Sequence, residues 1–220
     1  MNVSQDSLVL KSRAFPDIDQ QVRIWNSLFP EIGDIDRRTL EKPVPDQSIR
    51  VCFPKISSLS EESAYIYGIL RIREALEKLC GETNATLHDD GDFFHPETLQ
   101  KEKKHVQHIE KRFGEQKSNL IVASVQFWVL RLKENSLNFP DDQIPMSISH
   151  ASALLCVVQG GPRKLWGGGF ENCWFCCFGS PLVYGGPLCF DVFEEDLCIT
   201  PREHLGKSNE SGGAASVFVG

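Results

Sequence analysis

The chain has 220 residues, 41% of them apolar and 24% charged, so it can bury a substantial single core and does not have the composition of a disordered protein. Its net charge of -7 argues against a surface that grips nucleic acid mainly through phosphates, and no run approaches the roughly 18 consecutive apolar residues that span a bilayer. The amino terminus, Met1-Asn2-Val3-Ser4-Gln5-Asp6-Ser7, has no basic start followed by an apolar stretch, so the reading is a soluble cytoplasmic or nuclear protein with eight cysteines serving as thiols or metal ligands.

Ile18, Val22, Trp25 and Phe29 form an apolar stripe at helical period, bracketed by Pro16 and Pro30. Tyr65, Ile69, Ile72, Leu76 and Leu79 predict a second, longer helix; Ser58 and Glu61 supply a capping box at its start, and Gly81 a terminating glycine. Leu99, Val106, Ile109 and Phe113 predict a third, opened by Pro96 and closed by Gly114. Its many charges, among them Lys101, Glu102, Lys103, Lys104, Glu110, Lys111 and Arg112, read as a solvated face laced with ion pairs.

The apolar run from Leu120 to Leu132 fits either element, and its length leans it to helix. A surface loop follows over Asn135 to Pro145, then a short buried helix over Ser149 to Val158, capped at Ser147 or Ser149 and stopped by Gly160-Gly161. From Gly160 to Pro201, glycines and prolines divide short apolar pieces, as in strands joined by tight turns, with strands expected at Leu182-Val183-Tyr184 and Leu188 to Val192. Lys207 to Ala215 is small and polar and reads as a frayed tail.

These elements predict an α+β fold, a mostly helical N-terminal half packed on a C-terminal layer of short strands and turns. One globular domain would cover residues 1–205, helical over about 15–117 and rich in Cys and Gly over about 118–205, with a flexible tail over 206–220. The predicted core includes Trp25, Tyr65, Ile69, Leu76, Val106, Ile109, Trp128, Leu154 and Phe190.

Five of the eight cysteines lie between Cys173 and Cys198. Cys173-Trp174-Phe175-Cys176 has the C-x-x-C spacing that lets two thiolates reach one tetrahedral zinc ion, with Cys189 and Cys198, or His150, to complete the shell. His150-Ala151-Ser152 at a helix start, with Gly160-Gly161 ending that helix and this C-x-x-C about twenty residues on from His150, resembles the zinc nucleobase and nucleotide deaminases over about residues 147 to 185. The resemblance implies zinc held by His150, Cys173 and Cys176. Ser152 stands where that family carries its proton-shuttling glutamate, and Asn172 where it carries proline, which implies a catalytically inactive relative. Equally, cysteines packed among Trp174, Phe175 and Phe178 are simple core material.

A cysteine nucleophile would need one of Cys173, Cys176 or Cys177 beside His150 or His204, and nothing local marks one as activated. His88, His95, His105 and His108 read as surface histidines, since Glu102-x-x-His105 occurs once where a di-metal bundle needs it twice. Gly160 to Lys164 and Gly167-Gly168-Gly169 offer backbone amides for an anion but match no phosphate-loop spacing. Every catalytic constellation lacks a necessary residue. The reading is therefore a non-catalytic interaction or accessory domain with a protein or small-molecule partner, the alternative being a zinc-dependent deaminase-like protein.

Overall fold

The structure is a computed structural model that describes residues 15–46, 48–60, 65–89, 96–113, 116–130, 139–161, 173–180, 187–193, 196–201 and 212–218. Helix α1 spans Ile18–Leu28 and opens on a capping box: Asp17 Oδ1 accepts from Gln20 N at 2.8 Å, and Gln20 Oε1 accepts from Asp17 N at 3.0 Å. Helix α2 spans Tyr65–Gly81, but the left-handed residue that turns the chain after it is Asn84 (φ 61°), not Gly81. Ser58 ends a 3-10 turn, Ile56–Ser58, rather than capping α2, and Glu61 lies outside the described residues. That turn lies so close to α2 that a Cβ on Gly68 would sit 2.0 Å from the Ile56 carbonyl oxygen.

Helix α3 spans Pro96–Arg112, and α4 spans Ile148–Gly160 with Ser147 as N-cap and Gly161 as C-cap. Every residue of α4 from Ile148 to Gln159 is buried, because the helix lies against α1, α2, α3 and β1. A helix enclosed in this way has no solvent face to carry a polar stripe.

The strands are β1 (Ser48–Pro54), β2 (Thr86–Asp89), β3 (Leu120–Leu130), β4 (Gln143–Pro145), β5 (Cys173–Cys177), β6 (Leu188–Phe193), β7 (Asp196–Pro201) and β8 (Gly212–Phe218). They form one mixed sheet in the order β1-β3-β8-β5-β6-β7-β2, with β4 also pairing β8. The β2–β7 and β5–β8 pairs are parallel and the others antiparallel. The fold is α+β, its N-terminal half mainly helical with β1 and β2 added.

Three expectations are corrected. Leu120 to Leu130 is a strand, not a helix: Ser48–Pro54 pairs along it on one side and Gly212–Val217 on the other, and non-local pairing of this kind decides an ambiguous apolar run. Residues 212–218, expected within a flexible tail, form an inner strand, with β3 on one edge and β5 then β4 on the other. Its Gly, Ala and Ser residues make it read as polar tail, yet Ala215 and Val217 join the core. Tyr65 is only half-buried, whereas Trp25, Ile69, Leu76, Val106, Ile109, Leu154 and Phe190 are buried as expected. The Trp128 side chain, the strand at Leu182-Val183-Tyr184, and residues 207–211 of the tail lie outside the described residues.

The outer edge of β1 is closed by side chains of α1. Gln21 Nε2 donates to Arg50 O at 3.2 Å, Gln21 Oε1 accepts from Cys52 N at 2.7 Å, and Trp25 Nε1 donates to Cys52 O at 2.8 Å. An edge strand with its N–H and C=O groups occupied in this way offers no template for another chain.

Candidate functional site

Two polar regions stand out, one sealed and one open. The sealed one surrounds the N-terminus of α4, where the first N–H groups of a helix lack partners within it. Each is met by a different side chain. Ser180 Oγ, from the turn after β5, accepts from Ile148 N at 2.6 Å; Glu102 Oε1, from α3, accepts from Ser149 N at 3.1 Å; Ser147 Oγ accepts from His150 N at 3.2 Å. The Ser149 hydroxyl adds a second bond to Glu102 at 2.9 Å. Gly179 brings the β5 turn this close: its N–H donates to Met146 O at 3.0 Å, and a Cβ there would lie 2.2 Å from Pro145 O.

Glu102 is fully buried against the positive end of α4, which corrects its expected place on a solvated face. Burial pushes its carboxyl pKa up, opposed by the hydrogen bonds from Ser149 and by the nearby Ser147 and Ser180 hydroxyls. Its Oε2 nevertheless has no partner in hydrogen-bonding geometry. Cys177, 0% exposed, has its thiol raised well above the ordinary range, by burial first and the Glu102 charge second, so it is held protonated.

His150 also lies in this knot. Its Nδ1 is 2.9 Å from Ser147 Oγ, and its ring meets Phe53 and Phe113 edge-on, with centroids 5.8 and 6.1 Å away. Its Nε2 has no hydrogen-bond partner, and burial lowers its pKa to about 3, so the ring is neutral. Ser152 turns its hydroxyl back onto Ile148 O at 2.8 Å.

The other expected zinc ligands lie on β5. Cys176 is the antiparallel register partner of Cys189, and their Sγ atoms are 1.93 Å apart, at disulfide distance. This departs from the expectation that the cysteines are thiols or metal ligands: directly opposed positions on paired strands bring these two sulfurs together. The Cys173 side chain is outside the described residues, as are His95, His204 and the glycine loops beyond Gly161. Among the described residues, no group of three His, Cys, Asp or Glu side chains is placed to hold a metal ion. His105 and His108 are exposed, and His88 Nε2 lies 3.5 Å from Asp196 at the β2–β7 edge.

The open region is a groove of about 790 Å³ between the first 3-10 turn (Arg37–Glu41), the exposed end of β1 and β3, and the end of α3. Among the described residues, Arg38, Lys42, Arg50 and Arg112 line it together with one carboxylate, Asp36. Arg38 grips Asp36 with two bonds, Nε to Oδ1 at 2.9 Å and a terminal nitrogen to Oδ2 at 2.6 Å. That pairing, above all, holds the Asp36 pKa down, so it cannot exchange protons near neutrality.

The Arg50 guanidinium donates to Lys42 O, fixing the chain after the turn against β1. Where β3 runs past the paired part of β8, the Gln116 side chain takes over as neighbour: Nε2 donates to Val122 O at 3.2 Å, and Oε1 accepts from Val122 N at 3.0 Å. Phe113 forms one wall and is shared with the sealed region, since its other contacts are the Phe53 and His150 rings.

Sequence reasoning missed this groove because its cations come from three distant segments, none of them a motif. Compared with known protein families, curated proteins and solved structures, the chain matches none.

Proposed function

We propose that this chain is a non-catalytic interaction or accessory module that docks its partner through the cation-rich groove. The observation that carries this reading is charge placement: among the described residues, four cations and one carboxylate, itself paired with Arg38, line one groove on a chain of net charge -7. Among the described residues, the groove lining has no cysteine or histidine, and Asp36 is paired with Arg38. The side chains with chemical potential, Glu102, His150 and Cys177, are all buried in the sealed knot. The zinc-dependent deaminase reading is the weaker, since His150 sits between phenylalanine rings and Cys176 faces Cys189.

The test is retention of the purified chain on immobilised polyglutamate and on heparin, alongside a zinc determination. Metal-free protein held by either matrix at low salt, and released by Lys42→Glu with Arg112→Glu, supports docking through the groove. Folded wild type that passes both matrices, or stoichiometric zinc, argues against it.

A further inference from the structure

Separately from the groove, we infer that the outer face of α3 is a sequence-independent binding surface for the phosphate backbone of a nucleic-acid duplex. Lys101, Lys104, His105, His108, Lys111 and Arg112, the last of which also lines the groove, are all exposed. Their steps of three and four place them on one side of the helix, away from the buried Leu99, Glu102, Val106 and Ile109. The row runs about 16 Å along the axis. The ion pairs expected from the sequence are missing because two of the helix's carboxylates turn inward. Glu102 Oε1 accepts from Ser149 N in the knot, and Glu110 Oε2 accepts from the Ser57 hydroxyl at 2.9 Å. Of the acidic residues of α3, only Glu97, in the first turn, is exposed. The neighbours of Lys104 three and four residues away are Gln100, Lys101, Gln107 and His108. Among the described residues, none of Lys101, Lys104, Lys111 and Arg112 pairs with a carboxylate. Like charges at this spacing repel, so the row is held against a small cost in helix stability.

The net charge of -7 is an average, and α3 gathers the opposite sign on its outer side. Exposed ion pairs with an acidic protein segment gain little each, and without apolar contacts, which this face lacks, they do not offset the cost of association. A duplex differs because its phosphates hold condensed counterions, and each cation that engages a phosphate releases them. His105 and His108 add ring N–H donors for phosphate oxygens. The face has no aromatic side chain to stack on a base, so contact is with the backbone and is indifferent to sequence. A flat anionic bilayer would approach α2 as well, since α2 packs against α3, and α2 exposes Glu74 and Glu77. A line of phosphates can follow α3 alone.

The experiment is fluorescence polarisation of the full chain with fluorescein-labelled DNA duplexes of two unrelated sequences and an RNA duplex. Co-sedimentation with vesicles of phosphatidylserine and phosphatidylcholine runs beside it. The expected result is equal affinity for the two DNA sequences and a log-log salt slope of about -3 to -4, since each of four cations contributes about -0.9. Binding to one type of duplex alone names that type as the partner. Lys104→Glu/Lys111→Glu should bind at least about tenfold more weakly and reduce the slope by about two, with its unfolding midpoint unchanged or raised by relief of the repulsion. Failure of every duplex to bind, a variant that binds as well as wild type, or sedimentation with vesicles without duplex binding overturns the inference. Duplex binding that is lost in Lys42→Glu but kept in Lys104→Glu/Lys111→Glu also overturns it, and leaves the groove as the docking site.

Discussion

The knot at the start of α4 and the groove behind Phe113 set polar side chains in opposite surroundings, one sealed and one open. In the knot, the first N–H groups of the helix terminus have named acceptors and the side chains are buried, so a carboxyl read in sequence as solvated and an imidazole read as a zinc ligand are enclosed by packing. In the groove, the side chains pair beside open surroundings: Arg38 with Asp36, Arg50 with the Lys42 carbonyl, and Gln116 with Val122. Burial perturbs the pKa values of the first region, while in the second the Asp36 carboxyl is held down mainly by its pairing with Arg38, so a perturbed pKa by itself does not mark a reactive site.

The comparison is best broken from the buried side. His150 titrates near 6.5 when unfolded and at about 3 when folded, so the neutral ring contributes stability that is complete above the unfolded value and is lost as pH falls toward 3. We expect a loss of up to about 5 kcal/mol over that window, read from denaturant midpoints, and a flatter acid limb in His150→Phe. Glu102 acts in the opposite sense. Its folded pKa is raised, so its contribution is present below the unfolded value near 4.5 and falls as pH climbs through the folded value; Glu102→Gln should flatten that limb.

Glu102→Ala should cost about 3 kcal/mol by chemical denaturation, because the Ser149 N–H and hydroxyl would both lose their acceptor, Glu102 Oε1, in a sealed site. Reducing the bond between Cys176 and Cys189, which lie 13 residues apart, should lower stability by about 2–3 kcal/mol, read as the shift in unfolding midpoint with dithiothreitol. An unchanged midpoint would mean that β5 and β6 stay joined without it. Arg112→Glu, on the exposed side of the comparison, should change stability by less than about 0.5 kcal/mol while altering retention on polyglutamate.

What could be read from the sequence was local. Helices α1, α3 and α4 follow from apolar spacing and from the punctuation at Pro16, Pro96 and Gly160-Gly161. One signal for the knot was also legible: Leu99, Glu102, Val106 and Ile109 follow alternating steps of three and four, which puts Glu102 on the buried stripe rather than on the charged face. Gln21 has the same relation to Ile18 and Trp25 in α1. The order of the strands, the cross-strand cysteine pair and the groove depend on contacts between distant segments, and no window of sequence contains them.

The position of β8 has a consequence for how the chain is made. Residues 212–218 come after every other described element yet bridge β3 to β5 and β4, so during synthesis on the ribosome the two halves of the sheet must wait as unjoined pieces until those residues emerge. Assembly of the sheet is therefore a late event that depends on contacts between parts of the chain far apart in sequence, and a nascent chain stopped before residue 212 would display the unsealed flanks of β3 and β5 to chaperones and proteases.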